Sequence, residues 1–341
     1  MTGVQACALP ICNCSLRAAL DEARLDHGPS TVTFAIPGAI PHQIQLSAQL
    51  PSIDENDTVV DGYTQPGSQP NTSAVGSNAV IGIEVRGNGP RAFSAFYMTS
   101  DRNTIRGLAI FSAAAKIKLR DAARDNRIVG NFLGTDASGT FTETEFNPNG
   151  MGVSINDASD RNRIGTPALA DRNVVAGNSG RGVSFFFDSS DNLVQNNVVG
   201  LSPTGIPRGN FGHGVDVNFG SSRNLIGGTG ANERNVVAAN HAHGIEISHE
   251  LTTVGNRVVG NYVGTRPDGR GGNAGTGNWN FGIHLEDHSN HSVVEQNVVA
   301  YNRRGGITLQ RTTTDNIVRD NVVGVNAAGQ LVGNEIGRAH V

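Results

Sequence analysis

Asp216, Glu246 and His284 occupy the same place in one recurring pattern, glycine-aliphatic-x-aliphatic. The three copies are Gly214-Val215-Asp216-Val217, Gly244-Ile245-Glu246-Ile247 and Gly282-Ile283-His284-Leu285, and Glu286 follows His284 by two residues. Side chains two apart along a strand share a face. The aliphatics are therefore expected inside and each x outside, in two outward columns. One column is Ser154, Ser184, Asp216, Glu246, His284 and Thr308; the other is Asn156, Phe186, Asn218, Ser248, Glu286 and Gln310. Stacked carboxylates raise one another's pKa, which suits a general acid. Carboxylates one rung apart, about 5 Å, match the retaining glycosidase separation, and two rungs approach the inverting one. Asp216 and Glu246 are the expected acid/base pair, with His284 or Glu286 assisting; the same oxygens could instead hold Ca²⁺.

A loop strengthens this patch. Gly277-Asn278-Trp279-Asn280-Phe281 carries the chain's only tryptophan and runs into the His284 strand. Trp279 suits stacking on a sugar ring, and with Asn218 and Phe281 it makes the expected ligand-binding set. The plainer alternative is that Trp279 packs across the flank and the charges form a solvated β-face. His213, His241, His243, His249, His288 and His291 fall in the same region, but their spacing fits no metal signature. No metal site is expected from them.

What positions these residues is a repeat. Arg172-Asn173-Val174-Val175-Ala176-Gly177-Asn178 returns as Arg234-Asn235-Val236-Val237-Ala238-Ala239-Asn240 and as Gln296-Asn297-Val298-Val299-Ala300-Tyr301-Asn302, 62 residues apart each time. A fixed period means one unit stacked on itself. The strand glycines at 152, 182, 214, 244, 282 and 306 halve that period to about 31. Each step holds three strands too short to be helices, rich in β-branched residues and separated by Gly, Asn, Asp and Ser. Without crossover helices, such strands pair in parallel only by coiling. The expected fold is all-β, a right-handed parallel β-helix, the hand following from strand twist. Asparagines recurring at 126, 192, 256 and 316, and at 131, 197, 261 and 321, are expected to form amide ladders.

A single helix is predicted ahead of the coils, around Ser15 to Ala23. Ser15 is its N-cap, Leu16, Ala19, Leu20 and Ala23 its apolar stripe, and Gly28 its end. Residues 12–30 are expected to cap a single β-helix domain over 31–334, whose strands begin at Thr31–Ile36 and Thr58–Asp61. Residues 1–11 match the in-frame translation of a short-read sequencing adapter with one change, at Ala6. Residues 335–341 match the complementary adapter. Both are expected to be foreign to the protein, leaving a piece of a longer chain with an exposed C-terminal coil, a monomer. Cys7 is then not native, and Cys12 and Cys14 are too few to indicate a redox compartment or a pairing.

Composition narrows the function classes. The net charge is −4, with no basic stripe, which argues against nucleic acid. No apolar run approaches the length of a membrane span. Lysine occurs only at 116 and 118.

Cys14-Ser15-Leu16-Arg17-Ala18-Ala19-Leu20 resembles the Cys-Ser-Leu-Arg-Glu-Ala box that opens many secreted bacterial β-helix proteins, with Ala18 where Glu is usual. Val60-Asp61-Gly62-Tyr63-Thr64-Gln65-Pro66-Gly67 resembles their Asp-Gly-x-Thr-Gln-Pro-Gly turn. Asn103 to Ile110 and Gly130 to Gly139 are similar to their first coils. The resemblance covers nearly all of 12–334. It implies the pectate-lyase-like β-helix, export and a place on the cell surface, but it supplies no catalytic motif. Lyases of this fold commonly use a cationic base with Ca²⁺, and no Arg or Lys occupies the two columns, so hydrolysis is expected before lysis. The expected function is a secreted or cell-surface protein that binds, and in the catalytic case cleaves, a polysaccharide or surface glycan on the outward face. The alternative is a non-catalytic spacer or adhesin.

Overall fold

The computed structural model describes residues 14–249, 253–273 and 275–334. Both adapter-like ends and Cys12 lie outside the described residues.

Short strands stack into three parallel sheets of ten, ten and eight strands, each strand bonded to its equivalent one coil on. One coil shows the pattern. Arg163–Ile164 belongs to the first sheet, Val174–Val175 to the second and Val183–Phe185 to the third, before Leu193–Val194 returns to the first. This is the right-handed parallel β-helix expected from the repeat. Its interior is a continuous stack of aliphatics such as Ile155, Val175, Val194, Val217, Ile247 and Val263, all fully buried. A single-coil slip would keep these residues inside, but a one-residue slip would expose them.

The bends are fixed by buried amides. Asn126, Asn162, Asn192, Asn224 and Asn256 form one ladder, in which each backbone N–H donates to the next Oδ1 at 2.8–2.9 Å. A second ladder runs Asn131, Asn173, Asn197, Asn235, Asn261, Asn297 and Asn321. The expected ladders are thus twice as dense as the positions that suggested them. A third, Asn178, Asn210, Asn240, Asn278 and Asn302, closes the corner before the third sheet. The ladder side-chain amides all donate to acceptors, as burial requires, whereas the buried hydroxyls of Ser159, Ser221 and Ser289 beside the first ladder have no partner.

The helix spans Leu16–Leu25 and buries Leu16, Leu20 and Ala23 over the first coil; Ser15 Oγ accepts from Ala18 N at 3.2 Å. Gly28 is not the residue that turns the chain. His27 takes the left-handed conformation, with φ 46°, after an αR Asp26. The first sheet opens with Ser30–Thr33, which stops short of the expected Ile36, paired with Thr58–Asp61; His42–Gln45 between them opens the second sheet. At the other end, Ile317, Val318, Val322 and Val323 are exposed on the last rung. No helix among the described residues is long and apolar enough to cross a membrane.

Candidate acid–base site on the third sheet

Strand pairing puts the predicted column in register: Ser154, Ser184, Asp216, Glu246, His284 and Thr308 sit on successive rungs of the third sheet. The column is not open to solvent as alternation alone implied. Asp216 is fully buried and Glu246 and His284 nearly so, because residues preceding the coil glycines fold over them. Those residues are Arg181, His213, His243 and Phe281, one per coil. The third-sheet column also starts earlier than Ser154: Lys118 pairs with Ser154, and Tyr97 with Lys118. No Arg or Lys stands at the predicted column positions, but the column extends back to Lys118 and Arg181 folds over it, so two cations do stand on this face.

Glu246 is the hub. His213 Nε2 lies 2.8 Å from Glu246 Oε2, and His284 Nδ1 lies 3.3 Å from Glu246 Oε1. Burial would raise the Glu246 pKa, but hydrogen bonds from His213 and His284, with charge from His213 and His243, hold it well below the ordinary carboxylate range. Burial likewise works against protonated His213; the bond to Glu246 and the charges of Asp216 and Glu246 outweigh it and raise that pKa. His243 stacks between His213, at 5.2 Å, and His284, at 4.2 Å. Burial and the neighbouring His284 push its pKa down to about 3.

Asp216 is engaged differently. Arg181 Nε is in close contact with Oδ2, and Asn218 Nδ2 donates to Oδ1 at 2.6 Å. Ser248 Oγ donates in turn to Asn218 Oδ1. Burial raises the Asp216 pKa, against the opposing charges of Arg181 and His213. Asp216 and Glu246 are adjacent and their environments push their pKa values apart. Neither presents a free oxygen pair to a ligand.

His284 is the exception. Its Nδ1 faces Glu246, while its Nε2 is buried without a hydrogen-bond partner, and Glu286 Oε2 lies 3.9 Å away. In the neutral ring, the proton sits on Nδ1 and the Nε2 lone pair is left over. A carboxylate orienting an imidazole whose second nitrogen is unengaged is the arrangement of a positioned general base.

The remaining predicted residues divide. Phe281 packs on His243 at 5.6 Å, and Asn218 supports Asp216, so both belong to the buried network. Trp279 is 45% exposed and caps a column in which it stacks on His241 at 4.3 Å beneath Arg303. Sequence reasoning missed Arg181, and it singled out His213 and His243 only as metal ligands to be set aside, not as partners of Glu246. The signal was present in the repeat: each immediately precedes a coil glycine. Two groups could hold a metal ion, with ligand atoms within 4.8 Å: His213, His243 and Glu246, and Glu246, His284 and Glu286. Asp216, expected among the Ca²⁺ oxygens, is in neither. His213 Nδ1 and His243 Nδ1 each face a backbone N–H at 3.3 Å. That contact favours the proton on Nε2, the nitrogen a cation would need.

No protein-family model and no curated protein matches the chain. Solved structures do. The A-modules of the Azotobacter vinelandii mannuronan C-5 epimerases AlgE6 and AlgE4 align with TM-scores of 0.53 and 0.50 at 12% identity, covering 90% of this chain and 71% of each module. An alginate lyase from Paenibacillus sp. str. FPU-7 aligns with a TM-score of 0.46 at 13% identity, over 89% of this chain and 94% of that one. The likeness is one of fold. The Glu246 network has to be judged on this chain's own residues.

Proposed function

We propose that the third sheet's outer face is a polysaccharide site where His284, oriented by Glu246, acts as a general base on an acidic sugar. The carrying observation is His284 Nε2, which is buried without a hydrogen-bond partner and has Glu286 Oε2 3.9 Å away, while Glu246 holds Nδ1. Hydrolysis by an Asp216/Glu246 pair is the weaker reading, because Arg181 and two histidines already occupy those carboxylates. Proton abstraction next to a sugar carboxylate suits the site better. His284 Nε2 would take the C5 proton, and the electron pair would pass to the carboxylate as an enolate. Arg304, exposed on the adjoining turn and near enough to act on His243, is the cation that would offset that charge. The enolate then either takes a proton from water on the opposite face of C5, giving epimerisation, or expels the C4 oxygen to leave a double bond, giving elimination. The leaving oxygen takes its proton from Glu286 or water. The solved neighbours named for mannuronan support this substrate class, and the Cys14 to Leu20 box supports export to where such polymers lie.

The test is a panel of uronate and neutral polysaccharides assayed for unsaturated products, epimerised residues and new reducing ends. Wild type is expected to act on a uronate polymer. His284→Gln is expected to lower the rate by about 10²–10⁴-fold, the usual contribution of a positioned base. New reducing ends without unsaturation would favour hydrolysis instead. Binding without turnover on every polymer would favour the adhesin.

A further inference from the structure

Phe187 and Phe219 break a local rule. Each is the fifth residue after a coil glycine, where the chain leaves the third sheet through a left-handed bend. The equivalent residues are Asp157, His249, Asp287 and Arg311, and all six have φ between 46° and 59°. Asp tolerates that conformation, whereas a bulky apolar residue is an outlier there. The two phenylalanines nevertheless stack on one another, with centroids 5.4 Å apart and planes 19° apart. Phe187 is 53% exposed. Neither strain nor exposure serves the core, which is complete without them.

Their surroundings indicate what they meet. With Phe186, Tyr97 and Met151, they border a groove of about 810 Å³ along the same sheet face. Arg91, Lys118 and Arg181 also line it, and no Asp or Glu does, in a chain of net charge −4. Arg181 lies 5.5 Å from the Phe186 ring while contacting Asp216, so groove and buried network share a residue. Phe219 is two rungs from His284 along the axis, about 10 Å of rise, and offset from it sideways by the three residues that separate Phe219 from Asp216.

We propose that Phe187 and Phe219 form a distal sugar-stacking shelf. On it the pyranose rings of an acidic polysaccharide lie flat, with their carboxylates toward Lys118, Arg91 and Arg181. The proposal rests on the reading of this face as a polysaccharide site and adds where the chain is gripped away from the chemistry. It makes the protein a reader of long chains: a dimer reaching only His284 misses the shelf, and a hexamer fills it.

Binding is measured by calorimetry in the His284→Gln protein, with and without Phe187→Asn and Phe219→Asn. The probes are dimers and hexamers of mannuronate and of galacturonate, with cellohexaose as the neutral control. Asparagine suits the left-handed bend, so melting temperature should hold or rise. Loss of the rings should weaken an acidic hexamer by about tenfold or more and leave dimers unchanged. Phe187→Trp with Phe219→Trp should keep hexamer affinity, which a variant that merely disturbed packing would not. Unchanged hexamer affinity without the rings, equal loss for dimers, cellohexaose binding as well as acidic hexamers, or no binding of any hexamer would each overturn the shelf. The base is judged separately. Full turnover by His284→Gln alongside lost hexamer binding by the shelf variant would sink the base and leave the shelf standing.

Discussion

Glu246 and His213 set opposite limits on the pH range of the buried network. Ionised Glu246 is favoured in the fold below its ordinary 4.5, so its contribution is complete above that pH and erodes as acid protonates it. His213 is held above its ordinary 6.5, so its contribution is complete below that pH and is lost as pH rises through the folded value. Both are present between about 4.5 and 6.5, and within that window His243, held down to about 3, and Asp216, held up, tilt urea stability in opposite directions as pH changes. Glu246→Gln should flatten the acid limb of the stability profile, and an unchanged limb would contradict the hub assignment. Arg181→Ala leaves Asp216 buried without its cation and should cost about 3–5 kcal/mol. Adding Asp216→Asn should recover much of that loss. The pairing itself was legible in the repeat, since Asp216, Glu246 and His284 stand on consecutive rungs as their spacing implied. Their burial was not, because period-2 alternation describes a strand and says nothing of the turn that folds Arg181, His213 and His243 back over it.

Among the elements, the corner ladders carry the most specific requirement. Asn197 sits mid-ladder: its Nδ2 donates to Ile164 O and Asn235 Oδ1 at 2.8 and 3.0 Å, and its Oδ1 accepts from Asn173 Nδ2. Asn197→Ala strands buried partners on both sides and should cost about 1–3 kcal/mol for each group left unpaired. Asn321, half-buried on the last rung, should cost markedly less in the same denaturation assay. Equal losses at the two sites would mean that the ladder does not act cooperatively. Spacing showed where these ladders run but undercounted them. In the second ladder long and short steps alternate, so Asn173, Asn235 and Asn297 fall off a fixed period, whereas in the first Asn162 and Asn224 lie on the same near-regular step as their neighbours. The left-handed bends at Phe187 and Phe219 were illegible for a different reason. Nothing about a phenylalanine announces a positive φ, and only its register with Asp157 and Asp287 reveals one.

At the scale of the whole molecule, the strands of each coil bond only to those of its neighbours, while the loop at 71–77 reaches further, to Leu169, Arg172 and Pro203. Stability is therefore expected to be graded along the axis. Amide exchange should be slowest in the coils between Val183 and Val263, covered on both sides, and fastest at Ile317–Arg319 and Val322–Val323, where the last rung is exposed. Uniform protection would mean that the rod opens as one unit. The catalytic claim is decided by one measurement. A uronate polymer is incubated with the protein in D₂O, and deuterium at C5 or loss of the C5 proton is followed by NMR. Wild type should exchange or remove that proton, and His284→Gln and Glu246→Gln should suppress the event together while remaining folded. Turnover with the C5 proton retained, or undiminished C5 chemistry in His284→Gln, would contradict the assignment of His284 as the base.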